Sequence, residues 1–188
     1  MPILPAEPDV FPDDLLDVEP PPDGAVAQWW ALYTLPRREK ELMRRLRSAE
    51  IAHYSPLVKR RSRTPGGRVV TSHMPLFPSY VFLRGDAGAR YTAVSSGCVS
   101  RCLDVDDGAQ LFHDLRQIRL LIQNGTPMTP ESRLVPGTRV RIRSGSLAGT
   151  EGTILKRHGV DRLLVVVHFL QRGVSIQIED FQVEKIDG

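Results

Sequence analysis

Five histidines (His53, His73, His113, His158 and His168) and two cysteines (Cys98 and Cys102) are the residues of this 188-residue chain best suited to acid–base, nucleophilic or metal chemistry. Metal sites and nucleophilic triads need such groups gathered with partners at short, defined spacings. Here the histidines stand in unrelated segments, and none has a carboxylate or cysteine at metal or triad spacing. The cysteines are too few for a disulfide framework. Four residues apart in a strand, they point to one face and read as small buried hydrophobes. A third candidate is the run Ser144-Gly145-Ser146-Leu147-Ala148-Gly149-Thr150-Glu151-Gly152. A phosphate cradle would continue into Gly-Lys-Ser or Gly-Lys-Thr and a helix, whereas Thr153-Ile154-Leu155 favours a strand. Gly145, Gly149 and Gly152 are therefore read as turn glycines. No catalytic residue, metal or cofactor is expected.

What remains is binding chemistry. Residues 1–27 hold seven acids and no Lys or Arg, so the rest of the chain carries all 25 bases against 15 acids. The bases cluster twice: Arg37, Arg38, Lys40, Arg44 and Arg45 in one segment, and Lys59, Arg60, Arg61, Arg63 and Arg68 in another. Clustered cations neutralise phosphates and release their counterions, which favours nucleic acid as a partner over a merely solvated surface. The second binding signal is Ser79-Tyr80-Val81-Phe82-Leu83, where alternation puts Tyr80 and Phe82 on one face and Val81 and Leu83 on the other. Both faces are apolar. Either the domain's own helices cover both, or one is left for a partner.

The elements that must position these residues follow from periodicity. Residues 1–27 contain seven of the 15 prolines and little to bury, and are expected to be disordered. Their apolar patch, Phe11 with Leu15 and Leu16, could serve as a binding motif, or the acidic tail could lie on the basic body. Residues 29–34 read as a strand, 37–50 as a helix burying Leu42, Leu46 and Ala49, and 51–58 as a second strand. Residues 59–68 form a basic hairpin tip turning at Pro65-Gly66-Gly67. A strand over 75–83, a short helix over 87–95, a strand over 99–105 and a helix over 109–123 with a stripe of Leu111, Leu115, Ile118 and Ile122 complete a first domain, 28–124. Residues 125–135 read as a linker. From 136 to 188 short alternating strands, with Val140, Ile142, Val174, Ile176 and Ile178 inward and Arg139, Arg141, Arg143, Ser175 and Gln177 outward, suggest a small β-barrel. No apolar run approaches the ~18 residues of a membrane span, and the start lacks a signal peptide's pattern, so the cytoplasm is the expected location.

Val140-Arg141-Ile142, Ser144-Gly145, Leu147-Ala148-Gly149, Glu151-Gly152 and Phe181-Gln182-Val183-Glu184 resemble the KOW domain of NusG proteins. Trp29-Trp30-Ala31-Leu32-Tyr33 and Pro75-Leu76-Phe77-Pro78-Ser79-Tyr80-Val81-Phe82-Leu83 resemble the opening and central strands of the NusG N-terminal (NGN) domain, in the same order. The fold implied is α+β: an antiparallel sheet flanked by helices, then an SH3-like barrel. Pro75-Leu76-Phe77-Pro78 and Arg37-Arg38-Glu39-Lys40 are similar to specialised RfaH-like antitermination paralogues, and Ser79 stands where housekeeping members have glycine. Ala89-Arg90-Tyr91-Thr92-Ala93 departs from the His-Thr-Thr segment by which RfaH touches the polymerase gate loop.

The resemblance implies a transcription elongation or antitermination factor. Leu76, Phe77, Tyr80 and Phe82 would receive the clamp helices of the RNA polymerase largest subunit. The two cationic clusters would meet upstream or nontemplate DNA. The KOW loop, with Gly145, Leu147, Gly149 and Gly152, would recruit a small ribosomal subunit protein or Rho, Ser146-Leu147-Ala148 making the contact. Strand-favouring residues such as Val165, Val166 and Val167 predict a barrel that does not refold into helices. The alternative is a KOW-type RNA-binding or ribosome-associated protein acting through Arg139, Arg141 and Arg143.

Overall fold

A computed structural model of the chain describes residues 7–18, 27–131, 137–157, 159–178 and 183–186. The expectations for residues 1–6, 19–26, 132–136, His158, Phe181 and Gln182 lie outside the described residues. The architecture is α+β, divided into two compact units, Met1–Gly108 and Ala109–Gly188.

The first unit contains β1 (Val10–Phe11), β2 (Gln28–Thr34), α1 (Glu39–Ser48), β3 (Ala52–Tyr54), β4 (Leu57–Arg63), β5 (Val69–Pro75), β6 (Tyr80–Gly85), α2 (Ala87–Ser95) and β7 (Val99–Asp104). Its antiparallel sheet has the order β1-β3-β6-β2-β7, and β4 and β5 pair separately as a two-stranded ribbon. Opposed residues of an antiparallel pair share a face. Trp30, Leu32, Val81 and Leu83 therefore point together, and with Leu42, Met43 and Leu46 of α1, Ala93 of α2 and Cys98 they form one buried core. The amphipathic spacing read from residues 37–50 thus does what it predicts, except that Ala49 lies past the helix end and is exposed.

Two expected strands are interrupted at prolines. Residues 51–58 split at Ser55-Pro56: the Ser55 N–H donates to Asp9 O at 2.8 Å, Pro56 has no N–H, and β4 leaves the sheet for the ribbon. Residues 75–83 split at Leu76–Ser79, where Ser79 has φ +68°. The expected disordered tail also needs correction. Residues 7–18 join the sheet edge through Val10 opposite Tyr54 and Phe11 opposite His53, with Val10, Leu15 and Leu16 buried. An edge strand supplies backbone partners that a composition-based reading does not count.

The second unit holds α3 (Gly108–Gln123), β8 (Thr129–Glu131), β9 (Arg139–Ile142), β10 (Glu151–Arg157), β11 (Val160–Val167), β12 (Arg172–Gln177) and β13 (Val183–Lys185). The strands form one antiparallel sheet, β13-β9-β10-β11-β12-β8. Val140, Ile142, Val174, Ile176 and Ile178 are buried as the alternation predicts. Ser175 is not outward: it is buried, receiving a hydrogen bond from Arg162 Nε at 2.9 Å and donating to Glu131 Oε1 at 2.7 Å. Within the expected linker, residues 129–131 are strand β8, paired to β12. The α3 stripe is Leu111, Leu115, Ile118 and Leu121, with Ile122 only half-buried.

Candidate functional site

The turn that enters β6 is built from backbone partners. Leu76 N–H donates to Pro56 O at 2.7 Å, Tyr80 N–H to Phe77 O at 3.2 Å, and Thr34 N–H to Ser79 O at 2.8 Å. The buried Glu39 carboxylate at the start of α1 accepts the Ser79 N–H at 2.8 Å. A left-handed φ at Ser79 turns the chain into β6, a conformation that favours glycine over serine. Leu76 and Phe77 consequently lie on this turn, both buried, rather than on the strand.

The face of the sheet opposite the helix-packed core carries Trp29, Ala31 and Tyr33 of β2, Tyr80 and Phe82 of β6 and Tyr54 of β3, as the registers require. Burial along it is graded. Phe82 and Tyr54 are 0% exposed, Tyr80 is half-buried, and Tyr33 is 39% exposed. Tyr33 and Tyr80, directly opposed across the strands, meet edge to face with ring centroids 5.2 Å apart. Of the four expected groove residues, only Tyr80 therefore offers surface, and it does so beside a residue the sequence reading passed over. The signal was present: Trp29, Ala31 and Tyr33 alternate onto one face, but their pairing with β6 is not written locally.

Of the cations on or beside α1, Arg38 and Arg45 both bond Glu41, Arg45 at 2.8 Å, and Arg44 approaches Glu7 at 3.3 Å. The hydrogen bond from Arg38, then that from Arg45, holds the Glu41 carboxyl below the usual carboxylate range. The ribbon differs. Lys59, Arg61 and Arg63 share one face, at steps of about 6.8 Å, opposite His73, Thr71 and Val69. Arg60 lies on the other face with Val58, Ser62, Val70 and Met74. Val69, Val70 and Met74 are exposed, and among the described residues none of Lys59, Arg60, Arg61, Arg63 and Arg68 has a carboxylate partner.

In the second unit Gly145 and Gly149 have φ of +89° and +86°, and a Cβ on Gly152 would meet Leu164 O at 2.4 Å. Gly145 and Gly149 shape the turn between β9 and β10, whereas Gly152, expected on that turn, lies within β10 opposite Val140, where the close approach of Leu164 O leaves no room for a side chain. Leu147 is buried, leaving Ser146 and Ala148 as the exposed part of the expected contact loop. The arginine stripe is charge-compensated: Glu151 takes Arg139 at 3.6 Å and also Arg141, while Glu184 takes Arg141 at 3.8 Å and Arg143 at 3.7 Å. Buried Asp114 of α3 accepts the His168 N–H at 2.7 Å and the Gln110 side chain at 2.8 Å, with His168 Nδ1 at 3.0 Å. Burial pushes its carboxyl up from the usual range, against the opposing pull of these bonds. Burial likewise holds His53 below its ordinary value, and its Nδ1 sits 2.8 Å from Ile51 O. Among the described residues no group of three His, Cys, Asp or Glu is placed to hold a metal ion. No helix among them is long and apolar enough to cross a membrane.

The family model described as transcription termination factor nusG matches residues 27–122, just over half of the chain. The matched span runs from the start of β2 through the ribbon and β6 into α3. Comparison with curated proteins finds no match.

Proposed function

Because this chain belongs to the NusG family of transcription elongation and termination factors, which act without enzymatic chemistry, we propose that its first unit binds RNA polymerase through the aromatic face of β2 and β6. The observation that carries this is the half-open pair Tyr33 and Tyr80, set at the accessible end of a face whose interior is closed by Phe82. Aromatic side chains that are rigidly backed and partly exposed are where binding energy concentrates. Tyr33 and Tyr80 make the contact with the clamp helices of the largest subunit, with buried Phe82 as the floor of the same face and buried Leu76 and Phe77 on the turn that leads into it. Binding energy then biases polymerase conformation and modulates pausing or termination.

The exposed cations Lys59, Arg60, Arg61, Arg63 and Arg68 of the ribbon, with Arg37, Arg38, Lys40, Arg44 and Arg45 around α1, face upstream or nontemplate DNA in this reading. Five ribbon charges without a carboxylate partner among the described residues support it. We further propose that the C-terminal sheet is a KOW-type barrel that recruits a small ribosomal subunit protein or Rho through the exposed Ser146 and Ala148, and that the chain is a specialised, RfaH-like cytoplasmic antitermination factor. The compensation of Arg139, Arg141 and Arg143 by Glu151 and Glu184 speaks against the RNA-binding alternative for that sheet.

Pull-down of core RNA polymerase by the full chain tests the central claim. Tyr33→Ala and Tyr80→Ala are expected to lose most of the captured polymerase while retaining wild-type tryptophan emission. Undiminished capture by both variants would remove the aromatic face as the docking surface. Loss on Arg139→Ala alone would favour the alternative.

A further inference from the structure

Two arginines on the cationic flank of α1, Arg44 and Arg47, already have partners within the chain. Residues 7–18 carry five carboxylates (Glu7, Asp9, Asp13, Asp14 and Asp17) and no Lys or Arg. They enter the first unit as edge strand β1, through only two residue pairs, Val10 with Tyr54 and Phe11 with His53. Ser55 N–H donates to Asp9 O at 2.8 Å just beyond that ladder.

From this position the segment engages two arginines one helical turn apart. Glu7 Oε2 lies 3.3 Å from Arg44 Nε. Arg47 Nη2 donates to Val10 O at 2.7 Å and lies 3.5 Å from Pro8 O, and its guanidinium sits 5.7 Å over the Phe11 ring, which in turn stacks on His53 at 6.1 Å. One nitrogen of each guanidinium, Arg44 Nε and Arg47 Nη2, is thus turned to the chain's own acceptors, in competition with a phosphate.

We infer that residues 7–18 are an intramolecular polyanion that masks the Arg44 and Arg47 flank of α1 and must release it before nucleic acid can bind there. The inference rests on the reading that α1 is part of the nucleic-acid surface. Its physical basis is a competition. The exposed Glu7–Arg44 ion pair is a weak hold, whereas a nucleic acid brings several phosphates at once and gains counterion release. Buried Val10, Leu15 and Leu16 return the segment to its place when the nucleic acid leaves.

The test uses the full chain, a labelled 20-base-pair duplex and fluorescence anisotropy over a salt series. Glu7→Ala is expected to tighten binding about two- to five-fold at low salt and to steepen the dependence of log affinity on log salt by about 0.9. In an Arg44→Ala background Glu7→Ala changes nothing. Hydrogen exchange adds an independent readout: the Ser55 amide exchanges faster once duplex is added. If Arg44→Ala weakens binding but Glu7→Ala leaves affinity, salt slope and Ser55 exchange unchanged, the masking inference is overturned and the DNA reading stands. If Arg44→Ala has no effect, or the full chain does not bind the duplex, the DNA reading of α1 falls and the inference with it.

Discussion

Phe82→Ala and Tyr33→Ala alter the same face of the sheet, yet the structure assigns them opposite consequences. Phe82 is 0% exposed on β6, between β3 and β2, and with Tyr54 heads the largest fully buried side chains. Truncating a fully buried Phe removes its transfer free energy and leaves a cavity, a loss of about 3–5 kcal/mol. That is a large part of the ~5–15 kcal/mol that stabilises a domain, and it lowers Tm by at least about 12 °C for a unit of this size. Tyr33, 39% exposed, loses chiefly its edge-to-face pair with Tyr80, about 0.5–1.5 kcal/mol. The assay is unusually clean. The chain's two tryptophans, Trp29 and Trp30, are neighbours on β2, so tryptophan emission follows the first unit alone. Urea titrations should give a much lower midpoint for Phe82→Ala and a small shift for Tyr33→Ala. A Phe82→Ala cost under about 1 kcal/mol with an unchanged denaturant slope, or equal costs for the two variants, would refute the assignment of floor and rim. A loss of polymerase capture by Phe82→Ala says little about docking, because it also reports a damaged fold.

Two further predictions concern stability. Ser79→Gly is expected to stabilise the first unit by about 0.5–1 kcal/mol, since relief of a left-handed serine outweighs the greater freedom of glycine in the unfolded chain; a lower urea midpoint would contradict this. Asp114 has a folded pKa raised above its ordinary 3.8 by burial, so in the window between the two values the folded state binds more protons. Its contribution to the second unit is thus fullest below 3.8 and is lost as pH rises through the folded value. Asp114→Asn, which keeps an acceptor for the His168 N–H, should flatten that dependence in circular-dichroism melts; Asp114→Ala should cost about 1–3 kcal/mol at all pH values by stranding the donor. A wild-type-like pH profile in Asp114→Asn would show that another group is responsible.

The legible parts of this protein were those governed by local period. Leu42 and Leu46 at a spacing of four identified the buried face of α1, and Val140 with Ile142 between Arg139, Arg141 and Arg143 identified an inward and an outward face of β9. The split of Tyr80 and Phe82 from Val81 and Leu83 was equally readable, because side chains alternate along any strand. Gly145 and Gly149 announced a turn through their backbone freedom.

Which of those faces is open, and who neutralises which charge, depended on partners distant in the chain. Tyr33 became part of the candidate site only through its register with Tyr80, 47 residues away. Glu151 and Glu184 compensate the arginine stripe only because β10 and β13 flank β9. Residues 7–18, acidic but carrying Val10, Leu15 and Leu16, pack on the first unit because it buries these side chains, the free edge of β3 offers hydrogen bonds and the arginines of α1 offer charge. Composition and periodicity describe what a segment presents along its own backbone. Only the tertiary structure decides what meets it, because burial, pairing and charge compensation are properties of two surfaces at once.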